Sequence, residues 1–503
     1  MALMKLPRLA YNFLSYVGAA IVLICGLGIV SLLLVVLMAR DTGPYLGIVA
    51  YIVLPAVLVV GVVLIPLGMW WHARQLRKSG QGLGPAFPVL DLNRPHHRRA
   101  LVVFVFGTLG FLLISGVGSY QAYHYTESVP FCGQTCHTVM QPEFTAYQSS
   151  PHARVKCVEC HIGPGAGWFA RSKLSGAYQV YATIRNIYPR PIPTPISNLR
   201  PARETCEQCH WPEQFFGGQQ RLMNHYLYDE ANTHWPINML VKTGGGDPED
   251  GQTSGIHWHM NTAVKVEYLP RDSRRQDIPW IRVTERKTGR VAIYQDAVRP
   301  LSAEVIAASS PRVMDCIDCH SRPSHRYRAP DLAVDMALLT NQMDATLPGL
   351  KQATVAAMAA AYPDLQTAKT GIADSLTKFY REKFPLVFAT RLDAIGRATL
   401  ATQNLYAQNI FPEMHTRWSQ YPDNIGHMFF PGCMRCHDGN HKTGDGRVLT
   451  KNCTTCHTIL SQGSGKRAAT ATTEQGLTFS HPTDIGDVWQ DSLCSDCHSG
   501  VQP

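Results

Sequence analysis

Seven times after Tyr120 the chain repeats one arrangement: a cysteine, a short gap, a second cysteine, then histidine. The copies are CGQTCH (Cys132, Cys136, His137), CVECH (Cys157, Cys160, His161), CEQCH (Cys206, Cys209, His210), CIDCH (Cys316, Cys319, His320), CMRCH (Cys433, Cys436, His437), CTTCH (Cys453, Cys456, His457) and CSDCH (Cys494, Cys497, His498). They use fourteen of the fifteen cysteines. Cys25 stands apart inside an apolar run, where a small buried hydrophobe is its default role. Cys-x-x-Cys-His is the attachment signature of haem c. Two thiols add to the vinyl groups on one porphyrin edge, the next histidine reaches the iron, and one helical turn presents all three groups together. Zinc sites need ligands in fours, with no obligatory histidine at this place. Six regular copies and one variant therefore predict seven covalently bound haem c groups. Those groups must themselves form much of the core beyond Tyr120.

The first 120 residues are of another kind. Phe13–Met38, Leu46–Trp71 and Ala100–Tyr120 are apolar runs, each long enough for a hydrocarbon core of about 30 Å, which takes about 20 helical residues. The first run is too long for a signal peptide, and no small-residue cleavage site follows it. A net charge of +9 would suit a nucleic-acid binder, but its placement argues otherwise. Residues 1–120 hold nine Lys/Arg and two Asp/Glu, a net of +7, and residues 121–503 hold 37 and 35, a net of only +2. The excess sits in HARQLRKSG and LNRPHHRRA, between the second and third runs. Such a cluster marks the cytoplasmic side and contacts anionic lipid. The expectation is a bacterial inner-membrane protein with a cytoplasmic N-terminus and a periplasmic haem domain. Membrane lipids are then partners, and nucleic acid is not.

Each haem iron takes two axial ligands, so seven beyond the motif histidines are wanted. Eleven histidines after Tyr120 lie outside the motifs: His124, His152, His225, His234, His257, His259, His325, His415, His427, His441 and His481. Several sit beside motifs, as in SPHARVKCVECH, CIDCHSRPSH and GHMFFPGCMRCHDGNH. Of these, His427, His441 and His481 are placed to ligate the last three haems.

The expected fold class is a mainly α and irregular multihaem cytochrome c. Residues 1–120 form a three-span anchor and 121–330 a tetrahaem domain. Strand patterns such as AVKVEYLP and IPWIRVTERKTGRVAIYQ place a β insertion at about 226–312. Residues 331–410 read as a helical spacer, and 411–503 as a C-terminal trihaem module.

The first four motifs resemble the NapC/NirT family of membrane-anchored quinol-oxidising cytochromes c. CIDCHSRPSH is similar to that family's last motif, and the resemblance implies His325 as a ligand. CEQCHWPEQFFGGQQRLMNH is similar to its third site and implies His225, while the histidine before the second motif implies His152. The family's first site has a ligating Met shortly after its motif, and Met140 stands one residue from that place. Three spans, seven motifs and this length look like the ImcH-type inner-membrane cytochromes of metal-respiring bacteria. The resemblance implies menaquinol oxidation and export of electrons to periplasmic multihaem cytochromes c, in anaerobic or metal respiration, a quinol:cytochrome c oxidoreductase type of transfer.

About a dozen residues separate the third run from Cys132, at most about 42 Å extended or about 18 Å as helix. The first haem therefore sits near the membrane surface. Gly133 lets the extra residue of CGQTCH be absorbed as a bulge. Quinol-site candidates nearby in sequence are His124, Glu127, Glu143 and Lys173, the last placed after the second motif as the family's quinol-site lysine is. Two other readings compete. One is a haem subunit of a larger quinol dehydrogenase or reductase complex. The other is a terminal reductase of a small oxyanion, which would typically show Cys-x-x-Cys-Lys; no motif here ends in lysine.

Overall fold

The computed structural model describes residues 8–38, 49, 53–79, 91–135, 137–196, 200–245 and 254–501. It divides into two compact units, Met1–Met140 and Gln141–Pro503.

The first unit contains three helices long and apolar enough to span a bilayer: α1 (Phe13–Met38), α2 (Leu54–Lys78) and α3 (Pro95–Thr126). The start expected at Leu46 falls outside the described residues. Small residues let α1 and α2 approach closely. A Cβ built on Gly18 would lie 2.7 Å from the carbonyl oxygen of Gly61, a contact of the kind that joins helices in lipid, where hydrophobicity gives no net drive. The Ser15 hydroxyl adds a bond to the Ile65 carbonyl at 3.0 Å. No residue of α3 is buried by the protein. After α3, Ser128 caps the short helix Val129–Gln134 that carries Cys132, and α4 (His137–Gln148) follows.

The second unit takes in most of α4 and the short helix Cys157–His161, continues with α5 (Ala166–Ile184) and then builds two antiparallel sheets. The strands are β1 (Gln219–Tyr226), β2 (His234–Val241), β3 (Val264–Leu269), β4 (Trp280–Glu285), β5 (Val291–Asp296), β6 (Arg312–Val313), β7 (His441–Lys442), β8 (His457–Gln462) and β9 (Ala469–Thr470). One sheet has the order β1-β2-β8-β9 and the other β6-β3-β4-β5-β7. The second packs Val266, Tyr268, Ile278, Ile281 and Met314 together, with Trp258 and Cys436 against them. In its register Glu267, itself buried, faces Arg282, and the two pair at 2.9 Å.

Between β6 and β7 in sequence come α6 (Pro330–Leu339), α7 (Leu350–Ala359), α8 (Leu365–Lys383) and α9 (Leu392–Asn409). Their burial follows the helical period: α8 buries Ala368, Ile372, Leu376 and Tyr380. The helices are joined to the first sheet by charge. Lys351, itself buried, reaches Asp331 and Asp335 at 2.6 Å each and the Tyr226 carbonyl of β1.

Residues 411–503 pair with elements from far earlier in the chain. β8 pairs with β2 and β7 with β5, the Gly500 carbonyl accepts from Asp331 N, and the Trp418 indole donates to the Ser499 carbonyl at 3.0 Å. Strands at His441–Lys442 and His457–Gln462, beside the fifth and sixth motifs, thus complete sheets begun earlier in the chain, because a sheet gains independent stability only with three or more strands.

Candidate functional site

The motif cysteines sit mostly on single turns, as at Cys157–His161, Cys316–Cys319 and Cys494–Cys497. The fourth turn is the most firmly anchored. Asp315 caps it and Asp318 closes the capping box. Asp318, buried, also accepts from the Tyr268 hydroxyl at 2.7 Å and pairs with Arg275 and Arg312 at 2.9 and 3.1 Å. Charge inside the motif thus pins it to β3. In the first motif Cys132 is described, while Cys136 and the side chain of His137 lie outside the described residues. Met140 is half-buried on α4, nearly one turn beyond His137.

Each of the other six motif histidines faces one histidine from elsewhere. Ring centres are 6.1 Å apart for His161 and His325, 6.1 Å for His210 and His152, 6.3 Å for His320 and His257, 5.9 Å for His437 and His259, 6.3 Å for His457 and His427, and 6.1 Å for His498 and His481. A metal–imidazole nitrogen bond is about 2 Å long, and a ring centre lies about 1 Å behind its nitrogen, so two rings trans on one ion stand about 6 Å apart. Among the described residues no group of three or more His, Cys, Asp or Glu converges as a metal site. Two imidazoles at this spacing would suit the iron of a haem, which a macrocycle also holds. They do not fit tetrahedral zinc.

Hydrogen bonds orient the rings. Nδ1 is held by a backbone carbonyl in His257 (Thr243, 3.0 Å), His259 (Ile256, 2.7 Å), His325 (Glu143, 2.9 Å), His437 (Thr450, 2.9 Å) and His481 (Thr483, 2.7 Å). A carbonyl can only accept, so in His257, His259, His325 and His437 Nδ1 carries the proton and Nε2 keeps its lone pair for a metal; the His481 Nδ1 also accepts from Thr483 N at 3.2 Å. Burial lowers the pKa of His257, His259, His320, His325, His427, His457 and His498. In His161, burial and the neighbouring His325 bring it to about 4. Neutral imidazole is the form that ligates.

Four of the six expected partners, His152, His325, His427 and His481, stand in such pairs. His225 and His441 do not. His225 faces Asp335, with Nδ1 3.5 Å from the carboxylate. His441 is buried with both nitrogens occupied, Nδ1 by Asp438 at 2.9 Å and Nε2 by the Ile278 carbonyl at 2.7 Å. It ties β7 to the sheet. His257 and His259 take their places. They flank Trp258 on the 3-10 turn Ile256–Met260, and Trp258 packs on the core of the second sheet. The clue in sequence was the His-x-His spacing of IHWHM, but no motif lies near it in the chain.

The quinol-site candidates have distinct surroundings. Glu143 is buried, and its carboxylate accepts from Arg322 at 2.8 and 3.0 Å while its carbonyl accepts from His325. It is an ion-pair partner beside a motif-facing histidine rather than a free base. Lys173, on α5, places its ammonium 4.7 Å from the Phe169 ring centre. His124 lies near the end of α3, against Tyr120 and Tyr123.

Thiols of successive motifs affect one another's ionisation: beyond burial, Cys206 and Cys209 push Cys160 up, Cys433 pushes Cys319 and Cys456 up and Cys453 pushes Cys494 up, while Cys316 holds Cys206 down. A cavity of about 520 Å³ is lined by Arg200, Arg203, Arg275, Arg312 and Asp315 over Met314 and Ile317. An apolar floor with a cationic rim suits an amphiphilic anion such as a haem with its propionates.

Paired cysteines, opposed imidazoles and three spanning helices define a membrane-anchored multihaem cytochrome c. The NapC/NirT cytochrome c family, N-terminal region, matches residues 94–190, and the chain belongs to this family, whose members bind haem c covalently. It is 42% identical over 498 residues, 99% of this chain and 97% of that protein, to the cytochrome c-type protein ImcH of Geobacter sulfurreducens. It is 31% identical over 115 residues, 22% of this chain and 63% of that protein, to the cytochrome c-type protein NrfH of Wolinella succinogenes. No solved structure matches.

Proposed function

We propose that this chain is an inner-membrane, menaquinol-oxidising cytochrome with seven haems c that passes electrons to periplasmic multihaem cytochromes in anaerobic or metal respiration. The six opposed histidine pairs carry the reading. On it His161 and His325, His210 and His152, His320 and His257, His437 and His259, His457 and His427, and His498 and His481 each hold one iron. His137 and Met140 hold the first. Bound haem c supplies one-electron redox chemistry. Pairs that fill both axial positions leave no iron open to a small oxyanion, which favours a relay over a terminal reductase. The electrostatic influence between thiols of successive motifs, from the second to the seventh, supports one continuous path ending near the C-terminus. The length and likeness shared with ImcH support the same reading, and the basic loop before α3 supports a cytoplasmic N-terminus with the haem domain in the periplasm.

A quinol releases two electrons and two protons. Lys173 and His124 remain the groups proposed to face it, and Glu143, held by Arg322, is proposed to position His325 instead. Purified holoprotein mixed anaerobically with a reduced menaquinone analogue tests the function. The haem absorption should change to that of the ferrous state without dithionite. Protein reducible by dithionite but inert to the quinol would refute it.

A further inference from the structure

The second unit carries a helix with its apolar face outward. On α5, Ser172, Ser175, Gly176 and Thr183 are half-buried and Ala182 is buried. The large apolar residues point the other way: Leu174 is 75% exposed, Tyr178 64%, Tyr181 55% and Ile184 78%. At 100° per residue these four share one side of the helix with Ala177, over about 15 Å of its length. Ile187, just beyond the helix, is exposed as well. An apolar stripe of this size left in water marks an interaction surface.

The charge around it is one-sided. Between Glu159 and Glu204 there is no acidic residue, and there are six basic ones: Arg171, Lys173, Arg185, Arg190, Arg200 and Arg203. Arg200 is committed to Glu204. Arg171 and Arg185 are exposed and bracket the apolar face. Tyr178, Tyr181 and Tyr188 supply rings with a polar tip. Residues 162–205 contain neither histidine nor cysteine, so no haem attachment or ligation occurs on this segment.

We propose that α5 is an interfacial helix that lies in the headgroup region of an anionic bilayer. Leu174, Tyr178, Tyr181 and Ile184 enter the acyl boundary, and Arg171, Arg185 and Arg190 meet lipid phosphates. Amphipathic helices with basic flanks and tyrosines bind membranes in this way. The bilayer is within reach because the same chain contains three spanning helices. Charge argues against a second copy as occupant, since two such basic patches repel.

The test uses holoprotein in nanodiscs of phosphatidylglycerol or of phosphatidylcholine, each doped with a lipid bearing a diazirine on the upper acyl chain. After irradiation, adducts are mapped by mass spectrometry. Adducts are expected on 174–184 as well as on the three spanning helices, several-fold more abundant on α5 in phosphatidylglycerol. The triple variant R171Q/R185Q/R190Q, with its haem content verified by absorbance, should bring α5 labelling down to the phosphatidylcholine level. Labelling of the spanning helices should stay unchanged and serves as the internal control. Equal α5 labelling in the two lipids, adducts confined to the spanning helices, or an α5–α5 cross-link between copies would each overturn the proposal.

Discussion

The imidazole of His259 stands 5.9 Å from that of His437, the rings at 85° to each other, although the two are far apart in sequence. His441, four residues from His437, makes no such pair. The expected outcome is therefore asymmetric. His259→Ala should convert one low-spin ferric haem to high spin. His441→Ala should leave the low-spin count unchanged. Low-temperature electron paramagnetic resonance of the oxidised holoprotein distinguishes the two.

Glu143 and Arg322 are each about one-tenth exposed, so removing the cation strands a buried carboxylate. Arg322→Met is expected to cost about 3–5 kcal/mol, seen as a lower denaturation midpoint. Glu143→Gln should keep quinol-driven reduction within a few-fold while shifting the midpoint potential of one haem, through the lost partner of Arg322 beside His325. Stopped-flow reduction and a redox titration measure both. Loss of quinol reduction with unchanged potentials would return Glu143 to the role of proton acceptor.

How much of this was legible in the sequence depends on the range of the interaction. Thiol attachment is local, so every motif could be read directly. The spans were readable because a bilayer demands an uninterrupted apolar run, and the spacer because α8 repeats apolar residues at helical spacing. Distal ligands are long-range: proximity to a motif pointed to His441, which folding instead spends on Asp438 and Ile278, and away from His257 and His259, which the β insertion delivers. The strand pattern announced that insertion. It gave no sign that β7 and β8, from the last hundred residues or so, would join the same sheets, because two- and six-residue strands carry little pattern of their own.

Lys351 lies between Asp331 and Asp335 at 2.6 Å from each. Lys351→Met should destabilise the junction of helices and sheet by about 3–5 kcal/mol, because two buried carboxylates lose their cation. Combining it with Asp331→Asn and Asp335→Asn should recover much of the loss, since the stranded charges are then gone. Chemical denaturation followed by far-ultraviolet circular dichroism reads the difference.

His441 gives a pH dependence with a defined sign. Burial lowers its pKa, but the bonds to Asp438 and the Ile278 carbonyl outweigh burial and hold it above the ordinary 6.5. A raised folded-state pKa contributes stability that is fully present below about pH 6.5 and is lost as pH climbs through the folded value. Amide protection of β7 and its partner Gln295–Asp296, corrected for intrinsic exchange rates, should fall over that range. In His441→Phe the fall should be absent.

The proposal that six irons are each held by two imidazoles, with none open, is what separates a relay from a reductase, and near-infrared magnetic circular dichroism of the oxidised holoprotein counts ligand types directly. The prediction is a bis-histidine charge-transfer band with the intensity of six haems and a distinct minor band from the seventh, the site of His137 and Met140. A high-spin band, or bis-histidine intensity well below six, would contradict the ligand pairs on which the account rests.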